Sequence, residues 1–532
     1  MSSMIVRIKR ALAIEPRLAM LAGHFTGMRR VAVQPNGVIL VQCVEDPYYF
    51  GLFGQIVSSL RDKDAMRVEQ FVLRSLNVGE SRSWITFLRS RLVGNALMNY
   101  KWVRLYRSFC AGVGYRSTAI QPIADMMDFY RAWQCWRNLS DKESLVALTI
   151  DGVVVGDLVN DSFLRFKPAP MVDLKDGYLL ILLWQAYRDV RRAKRYFSRV
   201  SPKLYLTSYS TYIQHGIPVR IALHNDVRVF SFGNYQEFFK ELSLEDWVHT
   251  RNPDAYAKEF SLLVRQDERL ALAETALATR LSGGVDSATA YMKKSAYVET
   301  GETVPNVRGG VVIFLHDFYD SPHVYRGMVF PDFWEWVCFT IETLQGAGIP
   351  FFVKPHPNQI SLSDNVLSDL QQRYPELVMI SSGITNKQLV EAGMACAVTV
   401  YGTVGHEMAY LGVPTIACGH HPHISFGICK TAKSRAEYRD FLRQATKLGM
   451  DTLSMRRESL MFYYMHNLCL GDEMMALRDA ASEFRMACHA DQGGQELIEE
   501  LKKLRQLPGY EMSIARMSFN STRDGITIKG DI

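Results

Sequence analysis

Between about residue 305 and residue 445 the chain repeats one pattern, a short run of β-branched or apolar residues followed by a stretch with helical spacing. Val311-Val312-Ile313-Phe314-Leu315 predicts a buried strand, 333–344 a helix closed at Gly346-Ala347-Gly348, and Phe351-Phe352-Val353 a second strand. Helices are expected over 363–373, 386–392 and 404–411, and strands over 377–380, 395–400 and 415–418. Strands that are apolar throughout, rather than alternating with polar residues, are buried on both faces, and the intervening helices supply the cover. This stretch is therefore constrained to a parallel, doubly wound, Rossmann-like sheet.

The first 300 residues carry the same kind of signal less regularly. Strands are expected over 37–41, 145–150, 204–206, 219–223 and 227–230, with helical patterns around 54–62, 84–96, 124–136 and 176–199. Residues 450–510 read as helical, with Glu499-Glu500-Leu501-Lys502-Lys503 as a solvated face. The expected fold class is α/β: an N-terminal α/β domain over 1–304, a Rossmann-like domain over 305–449, and a helical tail over 450–532 packing back across both. The two α/β halves are expected to face each other across a cleft. A chain of 532 residues is too long for one small binding module, and 48% hydrophobic with 22% charged residues excludes a disordered chain.

Charge and cysteine usage narrow the partners. Lys+Arg number 61 against 55 Asp+Glu, a net +6 that is too mild and too dispersed for a nucleic-acid binder. The nine cysteines are odd in number, scattered and without a CxxC pair, which points to reduced thiols and a cytoplasmic location. The longest apolar run, 178–184, is far short of a membrane span, and the start of the chain lacks the apolar core of a signal peptide. Residues 4–21 are basic and amphipathic, which fits a solvated helix and also a peripheral contact with the cytoplasmic face of a membrane.

Open α/β sheets bind ligands at the carboxyl ends of their strands. Five successive strand ends of the C-terminal half carry His316-Asp317, Lys354-Pro355-His356-Pro357, Ser381-Ser382-Gly383, Tyr401-Gly402-Thr403 and Gly419-His420-His421. Cationic, hydroxyl and glycine residues in those places make a phosphate-binding rim. Lys354 offers a compact charge and His356 a second donor, with flanking prolines fixing the backbone. Gly402-Thr403 opens a helix, whose unpaired amides attract anions, and Glu407 lies one turn on, where a carboxylate can accept from sugar hydroxyls. His316 and Asp317 are candidates for the acceptor or the donor sugar, and His420 for the donor.

Lys354-Pro355-His356-Pro357, followed by Gly402-Thr403, Glu407, Gly412-Val413-Pro414 and Gly419, resembles the donor domain of GT-B glycosyltransferases of bacterial capsule and surface-polysaccharide synthesis. The segments 152–161 and Gly216-Ile217-Pro218-Val219-Arg220 are similar to the acceptor half of such enzymes. The resemblance implies a nucleotide-sugar donor as substrate, no separate cofactor and no metal, and a glycan or lipid-linked glycan acceptor. It implies that His356 contacts the donor phosphate and that Ser381-Ser382 help to hold the donor. It also implies a catalytic carboxylate on the acceptor side if the enzyme inverts. Asp151, Asp157 and Asp161 qualify, with Asp157 preferred for its glycine-bordered setting; a retaining enzyme would use the carboxylate differently.

Two further motifs compete. Ser282-Gly283-Gly284-Val285-Asp286-Ser287 has the form of a pyrophosphate-binding loop, which would make the chain an ATP-dependent ligase or amidotransferase. Its preceding residues, 270–281, are Ala/Leu-rich helix formers instead of the strand such a loop requires, so a helix end on glycines is the simpler reading. His406, His420, His421 and His423 invite a metal but lack ligand spacing on a helix. The aromatic helix around Phe333-Trp334-Glu335-Trp336 reads as packing. A nucleotide-sugar-binding scaffold without turnover is the non-enzymatic alternative.

Overall fold

The computed structural model describes residues 12–27, 37–63, 66–73, 95–117, 120–167, 169–284, 297–325, 327–357, 359 and 362–518. Most of the expected helix 84–96, residues 4–11 of the basic N-terminus and Val285-Asp286-Ser287 lie outside the described residues. The chain forms two compact units, one from the stretches 1–167, 174–250 and 470–531, the other from 168–173 and 251–469.

In the first unit, β1 (Val38–Cys43), β2 (Arg67–Val72), β3 (Gly112–Arg116), β6 (Leu204–Thr207), β7 (Arg228–Ser231) and β8 (Lys240–Leu242) form one sheet in the order β3-β2-β1-β6-β7-β8. All neighbours pair in parallel except β7 with β8. A short antiparallel hairpin of β4 (Thr149–Ile150) and β5 (Val153–Val154) stands apart.

The second unit holds β9 (Val311–Phe314), β10 (Phe351–Lys354), β11 (Cys396–Val398), β12 (Thr415–Cys418) and β13 (Lys430–Ala432), ordered β10-β9-β11-β12-β13 and wholly parallel. Residues 377–380, expected as a strand, reach the sheet through a single parallel bridge between Val353 and Met379, flanked by Val353 N–H to Val378 O (3.0 Å) and Ile380 N–H to Val353 O (2.8 Å). With that segment counted, both units follow the 3-2-1-4-5-6 order of doubly wound sheets. Both faces of the second sheet are covered: Val311, Ile313 and Val398 pack into one core, Val312, Phe314 and Ala397 into another.

Several expectations change. Residues 145–146 end a short helix, Lys142–Val146, because Asp141 caps it, accepting from Ser144 N–H at 2.6 Å while Ser144 Oγ accepts from Asp141 N–H. Residues 219–223 belong to the helix Tyr212–His224, not to a strand. Its residues from Gly216 to Leu223 are all buried, so no polar face reveals the helical period, and a buried helix then reads like a buried strand.

The unit boundaries also fall elsewhere than 304 and 449. The helix Gln266–Leu281 packs Leu270, Ala273 and Leu277 against Met455, Leu460 and Tyr463 of the helix Thr452–Tyr463, which ties 251–304 and 450–469 to the second unit. The helices Asp472–His489 and Gly494–Gln506 instead bury Leu477, Phe484, Leu497 and Leu501 with Phe25, Phe50 and Phe53 of the first. All nine cysteines are free thiols.

Candidate functional site

In the second sheet the strand order reverses direction between β9 and β11, the place where doubly wound sheets open a crevice beyond the strand ends. A cleft of about 590 Å³, its open mouth included, lies there. It is bordered by His316 after β9, by Lys354 and His356 at the end of β10, and by Gly402, Thr403 and Glu407 after β11. Six residues singled out from the sequence are thus brought together. Tyr297, Asn386 and Thr399 join them.

Lys354 is buried, and burial pushes its ammonium pKa down to about 8, with Glu407 opposing the shift, so the charge is kept at neutral pH. Its Nζ donates to Asn386 Oδ1 at 3.3 Å and lies 5.8 Å from the Phe314 ring centre. Asn386 is held as the first residue of the helix Asn386–Glu391, which Thr385 caps by accepting from Gln388 N–H at 3.2 Å. Asn386 Nδ2 in turn donates to Glu407 Oε2 at 2.8 Å. The other oxygen of Glu407 accepts from the Tyr297 hydroxyl at 2.8 Å and faces Arg280 Nη2 at 3.5 Å. Arg280, Glu407, Asn386 and Lys354 therefore form one buried polar chain that ends on the cleft. Glu407 already receives three donors, so a ligand hydroxyl would take the remaining acceptor position of the carboxylate.

His316 is buried and stacked on Phe333, 4.8 Å between ring centres, and burial holds its pKa near 3. It is a neutral imidazole, its Nε2 in contact with Thr399 Oγ1 at 3.2 Å. It shapes the cleft without adding charge. His356 is pushed down by burial and by Lys354, and pulled up by Asp317. Asp317 Oδ1 accepts from Ser363 Oγ at 2.9 Å and from Tyr319 N–H at 3.1 Å.

The helix Val404–Tyr410 begins at Thr403. The amides of Gly405, His406 and Glu407 bond back to the carbonyls of Gly402 and Thr403. The amides of Gly402, Thr403 and Val404, all on the cleft wall, have no hydrogen-bond partner among the described residues. Successive free backbone amides beside a lysine suit an oxyanion. Gly402 is required by close approach: a Cβ there would lie 2.9 Å from Thr399 Oγ1 and 3.5 Å from His316 Cε1.

Other sequence candidates are not on this cleft wall. Ser381 and Ser382 are exposed, Ser381 Oγ accepting from Gly383 N–H at 3.2 Å. His420 Nε2 meets Asp254 Oδ1 at 2.5 Å. His406, His421 and His423 are buried against Phe462 and one another, where burial holds each neutral. Ser282 caps the helix Gln266–Leu281 and Gly283 turns with φ +95°, so a helix leads into 282–284.

In the first unit, Asp157 lies in the first turn of the helix Gly156–Phe166 and is gripped by the two terminal nitrogens of Arg220, Nη1 and Nη2, at 2.7 and 2.5 Å. Both carboxylate oxygens of Asp157 therefore accept from one guanidinium. Asp161 is buried, with Asn160 Nδ2 3.5 Å from its Oδ1. Asp151 pairs with Arg131 at 2.7 Å, and that contact lowers its pKa.

Arg280, Tyr297, Asn386 and Thr399 escaped the sequence reading. Only Asn386 had a local signal, the Thr385-x-x-Gln388 capping box. The others are placed by tertiary contacts from distant segments.

No protein-family model matches the chain, and no curated protein does. Among solved structures it is similar to KpsC of Thermosulfurimonas dismutans, a beta Kdo 2,4 transferase, at 13% identity, covering 50% of this chain and 79% of that one with a TM-score of 0.30. It is similar to the UDP-GlcNAc 2-epimerase of Neisseria meningitidis at 9% identity, covering 86% and 100% with a TM-score of 0.25. The wall teichoic acid polymerase TagF gives 11% identity over 92% and 97% with a TM-score of 0.22.

Proposed function

We propose that the second unit binds the phosphate of a nucleotide-sugar donor and that the chain is a glycosyltransferase of GT-B type acting on a surface-glycan acceptor. The observation that carries this reading is the meeting, at the strand-order reversal, of a desolvated but charged Lys354 with three backbone amides unpaired among the described residues, those of Gly402, Thr403 and Val404. A departing nucleotide gains negative charge as the glycosidic bond breaks. Fixed donors in a site shielded from water stabilise that charge more than they stabilise the bound donor, so Lys354 and the amides act on the rate as well as on binding. His356, two residues beyond Lys354 and beside Asp317, is the second donor to the phosphate in this reading. Buried His316, a neutral imidazole, and Glu407, facing Arg280, hold the cleft's shape.

Thermal-shift measurements with CMP, UDP, GDP and CDP test the proposal. A nucleotide bound only by the native state stabilises it by about 2.7 kcal/mol at a hundredfold excess over Kd. One nucleotide is expected to raise Tm in the parent and not in Lys354→Gln. A shift that survives Lys354→Gln unchanged, or none with any nucleotide, overturns the assignment. Sugar transfer from the corresponding nucleotide sugar, lost in His356→Ala, separates an enzyme from a binding scaffold.

A further inference from the structure

The helix Pro122–Asn138 is turned inside out. Its inward residues are Asp125, Asp128 and Ala132. Its outward face carries Ile123, Met126, Met127, Tyr130 and Trp133, exposed by 79, 70, 64, 57 and 37%, with Ile120 at 80% just before it. The spacing places these side chains along one side of the helix. A helix on a water-covered surface has the opposite arrangement.

The inward choice is made by ion pairs. Asp125 is met by Arg188, Arg191 and Arg192 of the helix Gly177–Val200 at 3.0, 2.8 and 2.8 Å, and Asp128 by Arg191 at 2.8 Å. Partnering buries every acidic residue of these two helices, Asp189 included. The charges left exposed on them are all cationic: Arg131, Arg137, Lys194, Arg195 and Arg199. One carboxylate of the adjoining hairpin turn, Asp151, pairs with Arg131 and acts on Lys194. The face is therefore an apolar strip with a tyrosine and a tryptophan, fringed by an excess of positive charge.

We infer that this face docks on an anionic lipid surface. An amphipathic helix lying in a membrane interface sinks its apolar side among the headgroups and upper acyl chains, with Tyr and Trp at headgroup depth and cations against lipid phosphates. The charge pattern selects this occupant over a second copy of the chain, which in a twofold contact would set the same cations against each other. Among the described residues no helix is long and apolar enough to cross a membrane, so the contact is peripheral. The inference is independent of the donor-site reading, because lipid binding requires no nucleotide.

Co-sedimentation of the full chain with vesicles tests it. Binding is expected to be at least roughly tenfold tighter to phosphatidylcholine vesicles containing phosphatidylserine than to phosphatidylcholine alone, and to weaken with salt. Met127→Ser with Trp133→Ser should lose roughly tenfold in affinity with an unchanged Tm, since both side chains are exposed. Arg195→Glu with Arg199→Glu should erase the preference for anionic vesicles. The inference is overturned by equal or absent binding to the two vesicle types, or by a Met127→Ser/Trp133→Ser variant that binds like the parent. It is equally overturned if binding vanishes in Arg7→Gln/Lys9→Gln/Arg10→Gln alone, or if ultracentrifugation finds a dimer that the serine variant dissolves.

Discussion

Lys354 shows how one residue's surroundings set its use. Burial brings its pKa to about 8, so the ammonium is present at neutral pH and is lost within the range of ordinary assays. If it meets a phosphate, nucleotide affinity should hold steady up to about pH 7.5 and fall above about pH 8 as the proton leaves, by up to tenfold per unit. Lys354→Arg keeps its charge and should flatten the profile. Titration calorimetry from about pH 7 to pH 9.5 reads the difference, and a parent profile that stays flat would remove Lys354 from the phosphate. Glu407 is the counterpart inside the wall. Both it and Arg280 are almost wholly buried, so Glu407→Gln removes the negative charge opposite a buried guanidinium and should cost about 3–5 kcal/mol in urea unfolding. Arg280→Met added to Glu407→Gln should recover much of that loss, which a role in ligand binding alone would not produce.

Among elements, the short helix Asn386–Glu391 links local sequence to the cleft. Thr385 caps it, and its first residue is the one that Lys354 Nζ reaches. Thr385→Ala should cost about 1 kcal/mol and weaken nucleotide binding together with stability, because Asn386 loses its fixed place between Lys354 and Glu407. A variant with lower Tm and unchanged nucleotide Kd would show that Lys354 needs no such anchor. The strands that bound the cleft were legible because residues buried on two faces are continuous apolar runs, as in Val311–Phe314 and Cys396–Val398. The helix Tyr212–His224 was not, since uniform burial hides its period, and Leu145-Val146 was not, since Asp141 and Ser144 cap a helix where apolar content suggested a strand. Glu407's place on the cleft was legible from its spacing after Thr403; its three donors come from residues 21 to 127 positions away and were not.

For the whole molecule the buried histidines dominate the response to acid. Burial holds His316, His421 and His466 of the second unit near 3, and His249 and His215 of the first near 3 and 4. Unfolding releases them to the ordinary value near 6.5, so below that pH the unfolded chain binds more protons than the folded one. Their contribution is fully present above about pH 6.5 and declines as pH falls from there toward 3–4, by up to about 1.4 kcal/mol per histidine per unit. Urea midpoints should therefore fall steeply between about pH 6.5 and pH 5. His406 and His423, held down by the same cause, add to the second unit's share, so that unit should lose structure first. Hydrogen exchange at about pH 5 would show which unit opens, and a first unit opening earlier would contradict the dominance of these histidines.

The sequence by itself determined the α/β class, the parallel strands of the second sheet and the residue types waiting at their carboxyl ends, because hydrophobic period and turn chemistry are local properties. It could not assign 251–304 and the tail to their units, the partners of Glu407, the pairing of Asp157 with Arg220, or the reversal of the helix Pro122–Asn138. Each of those depends on which distant charged or apolar groups meet when the chain packs. A carboxylate alone in the sequence is a candidate base or ligand; only the tertiary structure shows whether a guanidinium already holds it.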